Sequence, residues 1–341
     1  MNVDGRENEE RSLAVVVAKP RAERAIEALT REGVYDDSRK IRGHDDERVE
    51  LPVVAKPTET QVERVIRQPD PEPRSRTLET LLRDRGWTEE EVDSAPGSWA
   101  VIGSVVLVTL GDCPREEEVG EALLALHGNA DTVLANEGVS GEHREPSVRV
   151  VAGAGDTETV HTEHGTRYAL DLSRVMFSPG NQAERARMGC VVEEGEAVFD
   201  MFAGIGYFTL PMARTGARVT AVERNPVAFR YLLENAMLNE VSDRIDAYRA
   251  DCRAVEADAD RVVMGYYDAH EYLDSALTAI RSGGVLHLHE ATPNGLLWDR
   301  PFERLQEATE RNGREVSVLD RRVVKGHSEG VSHVVVDARV E

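Results

Sequence analysis

The chain of 341 residues contains little lysine. Only Lys19, Lys40, Lys56 and Lys325 are lysines, so the other 37 of its 41 basic residues are arginines. Acidic residues number 63, and the formal net charge is -22. A lysine-poor surface crowded with hydrated carboxylates fits a protein that works in high intracellular salt. An ordinary acidic cytosolic enzyme is the alternative interpretation.

The chain also lacks paired cysteines and long hydrophobic runs. Cys113, Cys190 and Cys252 are far apart and form no Cys-x-x-Cys pair. This spacing argues against a structural zinc or iron–sulfur site and fits a reducing compartment, so we predict no metal and a cytoplasmic location. No apolar stretch approaches transmembrane length and residues 1–12 are polar, so we expect neither a membrane span nor a signal peptide.

The positive charge that nucleic-acid-binding proteins usually carry is missing as well. At high salt, however, the release of counterions contributes little to binding nucleic acid. An RNA-binding enzyme under those conditions relies on shape, base stacking and local arginine clusters. The net charge therefore weakens an RNA-binding interpretation without excluding it.

The first part of the chain predicts a small domain and a linker. Residues 1–54 read as a small α/β domain, with strands at 13–18 and 48–54 and a helix at 20–32 that Pro20 begins. Residues 55–77 carry prolines and charge with little apolar periodicity, so we predict a linker.

Residues 78–175 predict a middle domain of the α+β class, because strands and helix mix there without a regular βαβ rhythm. The predicted elements are a strand or strand pair at 99–110, a helix at 115–128 and short strands near 131–135, 148–152 and 166–172.

Residues 176–341 alternate between strand and helix patterns. Strands are predicted at 197–202, 217–223, 245–250, 259–265, 284–290, 315–324 and 331–340, and helices at 207–215, 226–239, 270–281 and 299–312. This alternation predicts an α/β domain with a doubly wound, mainly parallel sheet.

A glycine turn follows the first strand of that domain. The sequence Asp200-Met-Phe-Ala-Gly204-Ile-Gly206 leads into the helix at 207–215. Glycines let a backbone approach a ligand where a Cβ would clash. The pattern is not the Gly-x-Gly-x-x-Gly of dinucleotide-binding proteins, and alone it is weak evidence for a ligand site.

Two acidic residues at strand ends strengthen the case. Glu223 ends the second strand, where a carboxylate can accept both ribose hydroxyls, and Asp251 ends the third, where it can accept a hydrogen bond from an adenine amino group. Asp251 alone could be a solvated strand-end acid. Together with the glycine turn, these residues resemble the Rossmann-fold class I S-adenosylmethionine-dependent transferases.

The end of the fourth strand points to the group that is transferred. Amino-group methyltransferases usually carry Asn/Asp-Pro-Pro-Tyr there, whereas this chain has Met264-Gly265-Tyr266-Tyr267. An N-methyltransferase is therefore disfavoured on local chemistry.

Several segments resemble the archaeal tRNA wybutosine-synthesizing protein 2 family. They are MFSPGNQAERARM (176–188), DMFAGIGYFTLPMA (200–213), VERNPVAFRYLLENAMLN (222–239), ADRVVMGYY (259–267), GGVLHLHE (283–290) and GVSHVVVDARVE (330–341). The resemblance implies transfer of the 3-amino-3-carboxypropyl group of S-adenosylmethionine to C7 of 4-demethylwyosine at position 37, in the anticodon loop of tRNA-Phe.

Archaeal tRNA guanine-37 N1-methyltransferases are the neighbouring family and the alternative function. They share Phe-Ser-Pro-x-x-x-x-Glu-Arg and Asp-Met-Phe-Ala-Gly-x-Gly, but they end the fourth strand with Asn-Leu-Pro. Residues 11–54 resemble the tRNA-binding domain that accompanies those methyltransferases. A third hypothesis is a non-catalytic tRNA-binding protein with the same fold. The intact glycine turn, Glu223 and Asp251 argue against it.

The family resemblance also implies roles for individual residues. Ser178 and Arg185 are expected at the methionine end of the cofactor, with Arg185 as a carboxylate clamp. The cofactor site is completed by Asp200, Gly204, Gly206, Glu223, Asp251 and Cys252, where the family often has Asn in place of Cys252. Tyr266 and Tyr267 are candidates to stack on the flipped base, although one of them could belong to the core.

Four further residues are candidates of lower rank. His287 and His289 lie on one side of a strand with Glu290 beyond them, but no third convergent metal ligand is visible. We expect packing or substrate contact for these histidines. Glu184 would be a general base in a guanine methyltransferase, and in an aminocarboxypropyltransferase we expect it to orient its loop.

Overall fold

The computed structural model describes residues 12–72, 74, 77–141 and 144–341 and divides the chain into two compact units, Met1–Gly86 and Trp87–Glu341. The polar residues 1–11 and residues 73, 75 and 76 of the predicted linker lie outside the described residues. Among the described helices, none is long and apolar enough to cross a bilayer.

The first unit is built on an antiparallel sheet in the order β2-β3-β1-β4. Its elements are β1 (Leu13–Ala18), α1 (Ala22–Arg31), β2 (Arg42–Gly43), β3 (Arg48–Pro52), β4 (Arg64–Arg67) and α2 (Leu78–Asp84). The continuous apolar run of β1 suits an inner strand. Val15 and Val17 pack there against Leu29 of α1 and Leu51 of β3.

The predicted linker contains a strand. β4 pairs with β1 from Leu13↔Arg67 to Val16↔Arg64, so this part of residues 55–77 belongs to the sheet and not to a linker. Sequence patterns missed β4 because only Val65 and Ile66 are apolar, between Arg64 and Arg67. Charged residues are typical of a short edge strand, where they discourage pairing with other chains.

The second unit begins with a four-stranded sheet in the order β5-β6-β7-β8, in which only β6 and β7 are parallel. The elements are α3 (Glu89–Asp93), β5 (Trp99–Ile102), β6 (Val105–Val108), α4 (Glu116–Leu126), β7 (Thr132–Ser140) and β8 (Glu145–Gly153). A two-stranded sheet follows, β9 (Glu158–Glu163) with β10 (Thr166–Asp171). The strand β9 was not predicted.

A seven-stranded sheet in the order β13-β12-β11-β14-β15-β17-β16 forms the rest of the unit. Its elements are α5 (Gln182–Val191), β11 (Ala197–Asp200), α6 (Thr209–Thr215), β12 (Arg218–Val222), α7 (Pro226–Leu238), β13 (Ile245–Tyr248), β14 (Ala259–Met264), α8 (Leu273–Ala279), β15 (Ile280–Pro293), α9 (Asp299–Arg311), β16 (Val316–Ser328) and β17 (Val331–Val340). The five strands from β13 to β15 are parallel and the last two are antiparallel. The predicted α/β fold with a mainly parallel sheet is confirmed.

The strand order positions the site. From β11 the chain moves outward to β12 and β13, then returns to the other side of β11 as β14. In open α/β sheets, ligands bind outside the carboxyl ends of the strands at such a reversal. The segments after β11, β12, β13 and β14 therefore meet at one edge of the sheet.

Candidate active site

A pocket opens at this edge of the sheet. Of the predicted site residues, Ser178, Arg185, Gly204, Glu223, Asp251, Cys252, Tyr266 and Tyr267 line it. The structure thus brings together, in one pocket, residues that are spread over some 90 positions of the sequence. They meet because the carboxyl ends of the parallel strands lie at the same edge of the sheet.

Asp200 supports the glycine turn through hydrogen bonds. Its side chain is fully buried and accepts hydrogen bonds from Thr209 Oγ1 at 2.6 Å and from Phe202 N at 3.3 Å. Burial raises the pKa of this carboxyl to about 6. These contacts join the end of β11 to the start of α6, so Asp200 shapes the turn.

Gly204 and Gly206 have positive φ angles of 58° and 102°. A Cβ on Gly204 would lie 2.3 Å from Tyr207 Cε2, and one on Gly206 would lie 2.7 Å from Leu210 Cγ. Both the backbone conformation and the lack of space therefore require glycine.

Glu223 links the turn to the next helix. Its carboxylate accepts hydrogen bonds from Gly204 N at 2.8 Å and from Asn225 N at 2.6 Å. Burial raises the pKa of Glu223. Each oxygen keeps a lone pair for a further donor, so the carboxylate can still accept hydrogen bonds from ligand hydroxyls.

Asp251 and Cys252 line the pocket beyond β13. Hydrogen bonds from the Arg253 side chain, at 2.9 Å and 2.6 Å, lower the pKa of Asp251 and occupy part of its acceptor capacity. Burial raises the pKa of the Cys252 thiol to about 11, so the sulfur stays protonated near neutral pH.

Arg185 is already paired. Its guanidinium donates to both oxygens of Glu163, at 2.6 Å and 2.7 Å, and to the carbonyl of Ser178 at 2.9 Å. Although burial opposes the charged form of Glu163, hydrogen bonds from His161 and Arg185 hold the pKa of Glu163 below its ordinary value. The partner Glu163 ends β9, the strand that sequence patterns did not reveal, so this neutralisation could not be foreseen.

The two tyrosines have different surroundings. Tyr266 packs beside the Phe202 ring, with a centroid distance of 5.2 Å, and against the core. Tyr267 lies edge-on to His327 and His333, and the Arg144 guanidinium is 5.2 Å from its ring centroid. Both side chains are half-buried and both line the pocket.

Glu184 is committed to an ion pair. Its carboxylate is buried and accepts two hydrogen bonds from Arg322, one of them at 2.8 Å. This ion pair joins α5 to β16. The expectation that Glu184 orients its loop stays a prediction.

The histidines of β15 are buried in the sheet. His287 contacts Asp337 Oδ1 at 2.6 Å and Arg261 at 2.7 Å. His289 contacts His333 at 3.0 Å, and burial lowers the pKa of His289 to about 3. Within the part of the chain that the structure describes, no cluster of His, Cys, Asp and Glu has the geometry of a metal site.

Sequence analysis missed several polar residues at or beside the pocket. Arg144, Asn225 and His333 line it, and Lys325 donates a hydrogen bond to Ser178 Oγ. Asn225 could have been found, since Asn before Pro226 is a typical N-cap of a helix. Arg144 lies in the hairpin between β7 and β8, and His333 lies in the antiparallel strand β17. No local sequence pattern shows that these two segments reach the pocket.

Two family models match the second part of the chain. Residues 78–157 match the TYW2 N-terminal domain, and residues 159–319 match the TRM5/TYW2 methyltransferase domain. These matches cover the four-stranded sheet and all the residues that line the pocket except His333.

The similar proteins include archaeal enzymes. The chain is 40% identical over 258 residues, 74% of this chain and 92% of the relative, to the tRNA(Phe) (4-demethylwyosine(37)-C(7)) aminocarboxypropyltransferase of Pyrococcus horikoshii. The structure resembles P. horikoshii TYW2 in complex with MeSAdo, with a TM-score of 0.67, 38% identity and coverage of 76% and 96% of the two chains.

A methyltransferase structure matches more of the chain. Wild-type Trm5b from Pyrococcus abyssi gives a TM-score of 0.73 at 32% identity and covers 97% of this chain and 99% of that one. The relation to guanine-37 methyltransferases is therefore close, as the sequence motifs predicted. The identity to the aminocarboxypropyltransferases and the match to the TYW2 N-terminal domain show that the chain belongs to the tRNA wybutosine-synthesizing protein 2 (TYW2) family.

Proposed function

We propose that this chain transfers the 3-amino-3-carboxypropyl group of S-adenosylmethionine to C7 of 4-demethylwyosine at position 37 of tRNA(Phe). The observation that carries this proposal is the 40% identity to an enzyme named for that reaction, over 92% of its length. The intact glycine turn and the strand-end acids around one pocket support it.

The pocket offers partners for the adenosine part of this substrate. Glu223 accepts the ribose hydroxyls, while Asp251 and the backbone of Cys252 bind the adenine. Gly204 lines the pocket and allows the close approach. Asp200 and Gly206 lie behind the lining residues and keep the turn in shape. The bond between Glu223 and Gly204 N fixes the acceptor before the ligand arrives, which lowers the cost of binding.

The reaction balances without a further reactant. C7 forms a bond to the γ-carbon of S-adenosylmethionine, the bond from that carbon to sulfur breaks with its electron pair on sulfur, methylthioadenosine leaves, and the C7 proton is lost. The task of the protein is then orientation, because the sulfonium has more than one electrophilic carbon. We assign Tyr266 and Tyr267 to the wall against which the base lies.

Two features disfavour the methyltransferase chemistry. β14 ends in Gly265-Tyr266-Tyr267 and lacks the Asn and Pro that present a target nitrogen. Both carboxylate oxygens of Glu184 already accept hydrogen bonds from Arg322, so the side chain that would remove a proton from guanine N1 is engaged elsewhere. Guanine-37 N1-methylation remains the second candidate because the Trm5b structure covers 97% of this chain.

Mass spectrometry of the modified nucleoside tests the proposal. The enzyme is incubated with S-adenosylmethionine and with tRNA(Phe) that carries either 4-demethylwyosine or an unmodified guanosine at position 37. We expect a mass gain equal to one aminocarboxypropyl group on 4-demethylwyosine only. A gain of one methyl group on guanosine supports the second candidate.

The surroundings of the enzyme are part of the proposal. We propose contact with the anticodon loop, a cytoplasmic location, which the three free cysteines suit, and adaptation to high salt, which the charge of -22 suits. We propose four segments, namely residues 1–54, 55–77, 78–175 and 176–341. The second of them contains the strand β4. If the protein is adapted to salt, its thermal unfolding midpoint should be higher in about 3 M KCl than in about 0.2 M KCl.

A further inference from the structure

Two buried histidines lie side by side next to the pocket. His289 of β15 and His333 of β17 are each 1% exposed, and Nδ1 of His289 lies 3.0 Å from Nε2 of His333. His333 also lines the pocket, while His289 packs against the ring of Phe208. The contacts proposed above for adenosine and for the base do not use this pair.

Each of the two histidines keeps one ring nitrogen without a partner. Nε2 of His289 and Nδ1 of His333 are buried, and neither has a hydrogen-bond partner among the described residues. Buried polar atoms of this kind cost free energy and are uncommon. Because Nε2 of His333 contacts His289, Nδ1 is the nitrogen of His333 that remains for a molecule in the pocket.

The contact between the rings restricts where their protons can be. Burial lowers the pKa of His333 to about 2 and that of His289 to about 3, so both rings are neutral near neutral pH. A neutral imidazole carries one N–H and one lone pair. When Nε2 of His333 donates to Nδ1 of His289, Nδ1 of His333 is left with its lone pair. In that arrangement His289 holds His333 in the tautomer that can accept a proton from the pocket.

Few other groups in the pocket can take up a proton. Of the described residues that line it, those with a carboxylate or an imidazole are Glu223, Asp251 and His333. Glu223 accepts two backbone N–H groups and Asp251 accepts from Arg253, and the proposed function gives both acids to adenosine. His333 lies beside Tyr267, with 4.9 Å between the ring centroids. His333 therefore borders the wall that we assign to the base.

The proposed reaction removes one positive charge and releases another. The sulfonium of S-adenosylmethionine becomes a neutral thioether when its bond to the γ-carbon breaks. The adduct formed at C7 is cationic and strongly acidic, so a weakly basic imidazole can remove its proton. With that proton on His333, the net charge of the pocket is the same before and after transfer. This balance matters because an additional charge is costly in a buried site.

We propose that His333 is the catalytic residue that accepts the C7 proton, and that His289 is the positioning residue that holds His333 in the accepting tautomer. This inference rests on the proposed function, because it takes C7 of 4-demethylwyosine as the reacting atom. The bond from C7 to the γ-carbon forms, and sulfur keeps the electron pair of the bond that breaks. The electron pair of the C7–H bond returns to the ring, and Nδ1 of His333 binds the proton. The proton passes to solvent when the products leave.

Single-turnover transfer to tRNA(Phe) tests the role of His333, with hydrogen or deuterium at C7 of 4-demethylwyosine. His333→Gln keeps an amide that can contact His289 but has no basic nitrogen. It should slow transfer about 100-fold or more. It should also raise the isotope effect above that of the wild type, because removal of the proton then limits the rate. The Kd of methylthioadenosine should stay within about twofold, which shows that the pocket is folded. His164→Asn, at an exposed histidine between β9 and β10, is the control and should change none of these values.

Two variants of His289 separate positioning from packing. His289→Leu removes the acceptor for Nε2 of His333, so transfer should slow about tenfold and the isotope effect should rise. His289→Asn has a side-chain oxygen that can take the place of Nδ1, so it should restore most of the rate. A role in packing alone would leave the isotope effect unchanged in both variants and would overturn the part assigned to His289.

Nitrogen NMR of the wild-type protein tests the tautomer without any substitution. With methylthioadenosine bound, Nε2 of His333 should carry the proton and Nδ1 should carry none. Three outcomes overturn the inference, namely a proton on Nδ1, an unchanged rate in His333→Gln, and a slower rate with an unchanged isotope effect. The proposed function fails separately, when the wild-type enzyme adds no aminocarboxypropyl mass to 4-demethylwyosine.

Discussion

At the scale of single residues, the proposed adenosine end of the pocket consists of groups that the protein itself holds in place. Glu223 shows this most clearly, because its two oxygens are held by the backbone N–H groups of Gly204 and Asn225. A carboxylate at the end of a buried parallel strand can be recognised from sequence. The glycine turn and Glu223, singled out by their spacing in the sequence, meet at one pocket, and their binding role stays a prediction.

The substitution Glu223→Ala should weaken S-adenosylmethionine and methylthioadenosine alike, since both contain the ribose. The expected loss is about 1.5–3 kcal/mol for each charged hydrogen bond to the ligand. Calorimetry measures it, with Glu307→Ala, an exposed carboxylate of α9, as the control. Unchanged affinities would remove Glu223 from the binding site.

The buried Asp200 should make stability depend on pH. Burial raises its pKa to about 6 in the folded protein, so folding disfavours the charged form. The stability associated with the protonated group is complete below the pKa of the unfolded chain and is lost as the pH rises towards 6. In Asp200→Asn this loss disappears, so the variant should gain up to about 3 kcal/mol relative to wild type between pH 4 and 7. Urea unfolding at several pH values tests this, and parallel profiles would contradict it.

The other end of the pocket could not be predicted in the same way. Arg185 is a conspicuous cation in a helix that borders the site, but its charge is balanced by Glu163 of a separate sheet. Lys325 of β16, the edge strand of the large sheet, donates a hydrogen bond to Ser178, which lines the pocket. Both facts depend on pairing between segments that are distant in sequence, which local periodicity does not encode.

At the scale of elements, α7 connects the glycine turn with the two-stranded sheet. Asn235 of α7 is fully buried and bonds to Ala169 N at 2.6 Å, to Ala169 O at 3.1 Å and to Ile205 O at 3.0 Å. A single amide side chain thus satisfies one backbone donor and two backbone acceptors from β10 and the turn.

Replacing this amide should destabilise the fold. Asn235→Ala leaves those three backbone groups without their partner, and we expect a loss of about 2–4 kcal/mol in the free energy of unfolding. Asn239→Ala is the matched control. It removes bonds to Arg167, which is exposed, so water can replace them and the loss should stay below about 1 kcal/mol. Denaturant unfolding measures the free energy of unfolding of both variants. Equal losses of this free energy would refute the role of Asn235.

Regular elements were predictable where their patterns are long. The alternation from β11 to α9 appears in the sequence as apolar runs separated by amphipathic stretches, and the structure follows it. The strands β4 and β9 were missed because polar and charged residues dominate them, as in Glu158-Thr-Val-His-Thr-Glu163. Short, half-exposed strands owe their structure to pairing with neighbours.

At the scale of the whole molecule, two solved relatives match different shares of the chain. The P. horikoshii TYW2 structure is covered to 96% by only 76% of this chain, whereas Trm5b covers 97% of it. The catalytic fold therefore exists in a relative of smaller size. The match to Trm5b, in contrast, covers 97% of this chain and so includes most of the first unit.

Removing residues 1–86 should weaken tRNA binding and leave the affinity for S-adenosylmethionine within about twofold, because every residue that lines the pocket lies in the second unit. The cut at 86 matters, since a cut at 60 would leave β4 without β1. Electrophoretic mobility and calorimetry measure the two affinities. A loss of S-adenosylmethionine binding in the shorter protein would contradict the independence of the units.

The central claim is that the carbon chain of S-adenosylmethionine moves and its methyl group does not. The most direct measurement supplies the enzyme and tRNA(Phe) bearing 4-demethylwyosine with S-adenosylmethionine labelled separately in the carboxyl and the methyl carbon. The account predicts that carboxyl label enters the RNA while methyl label is recovered in methylthioadenosine. Methyl label in the RNA, with no methylthioadenosine formed, would contradict it.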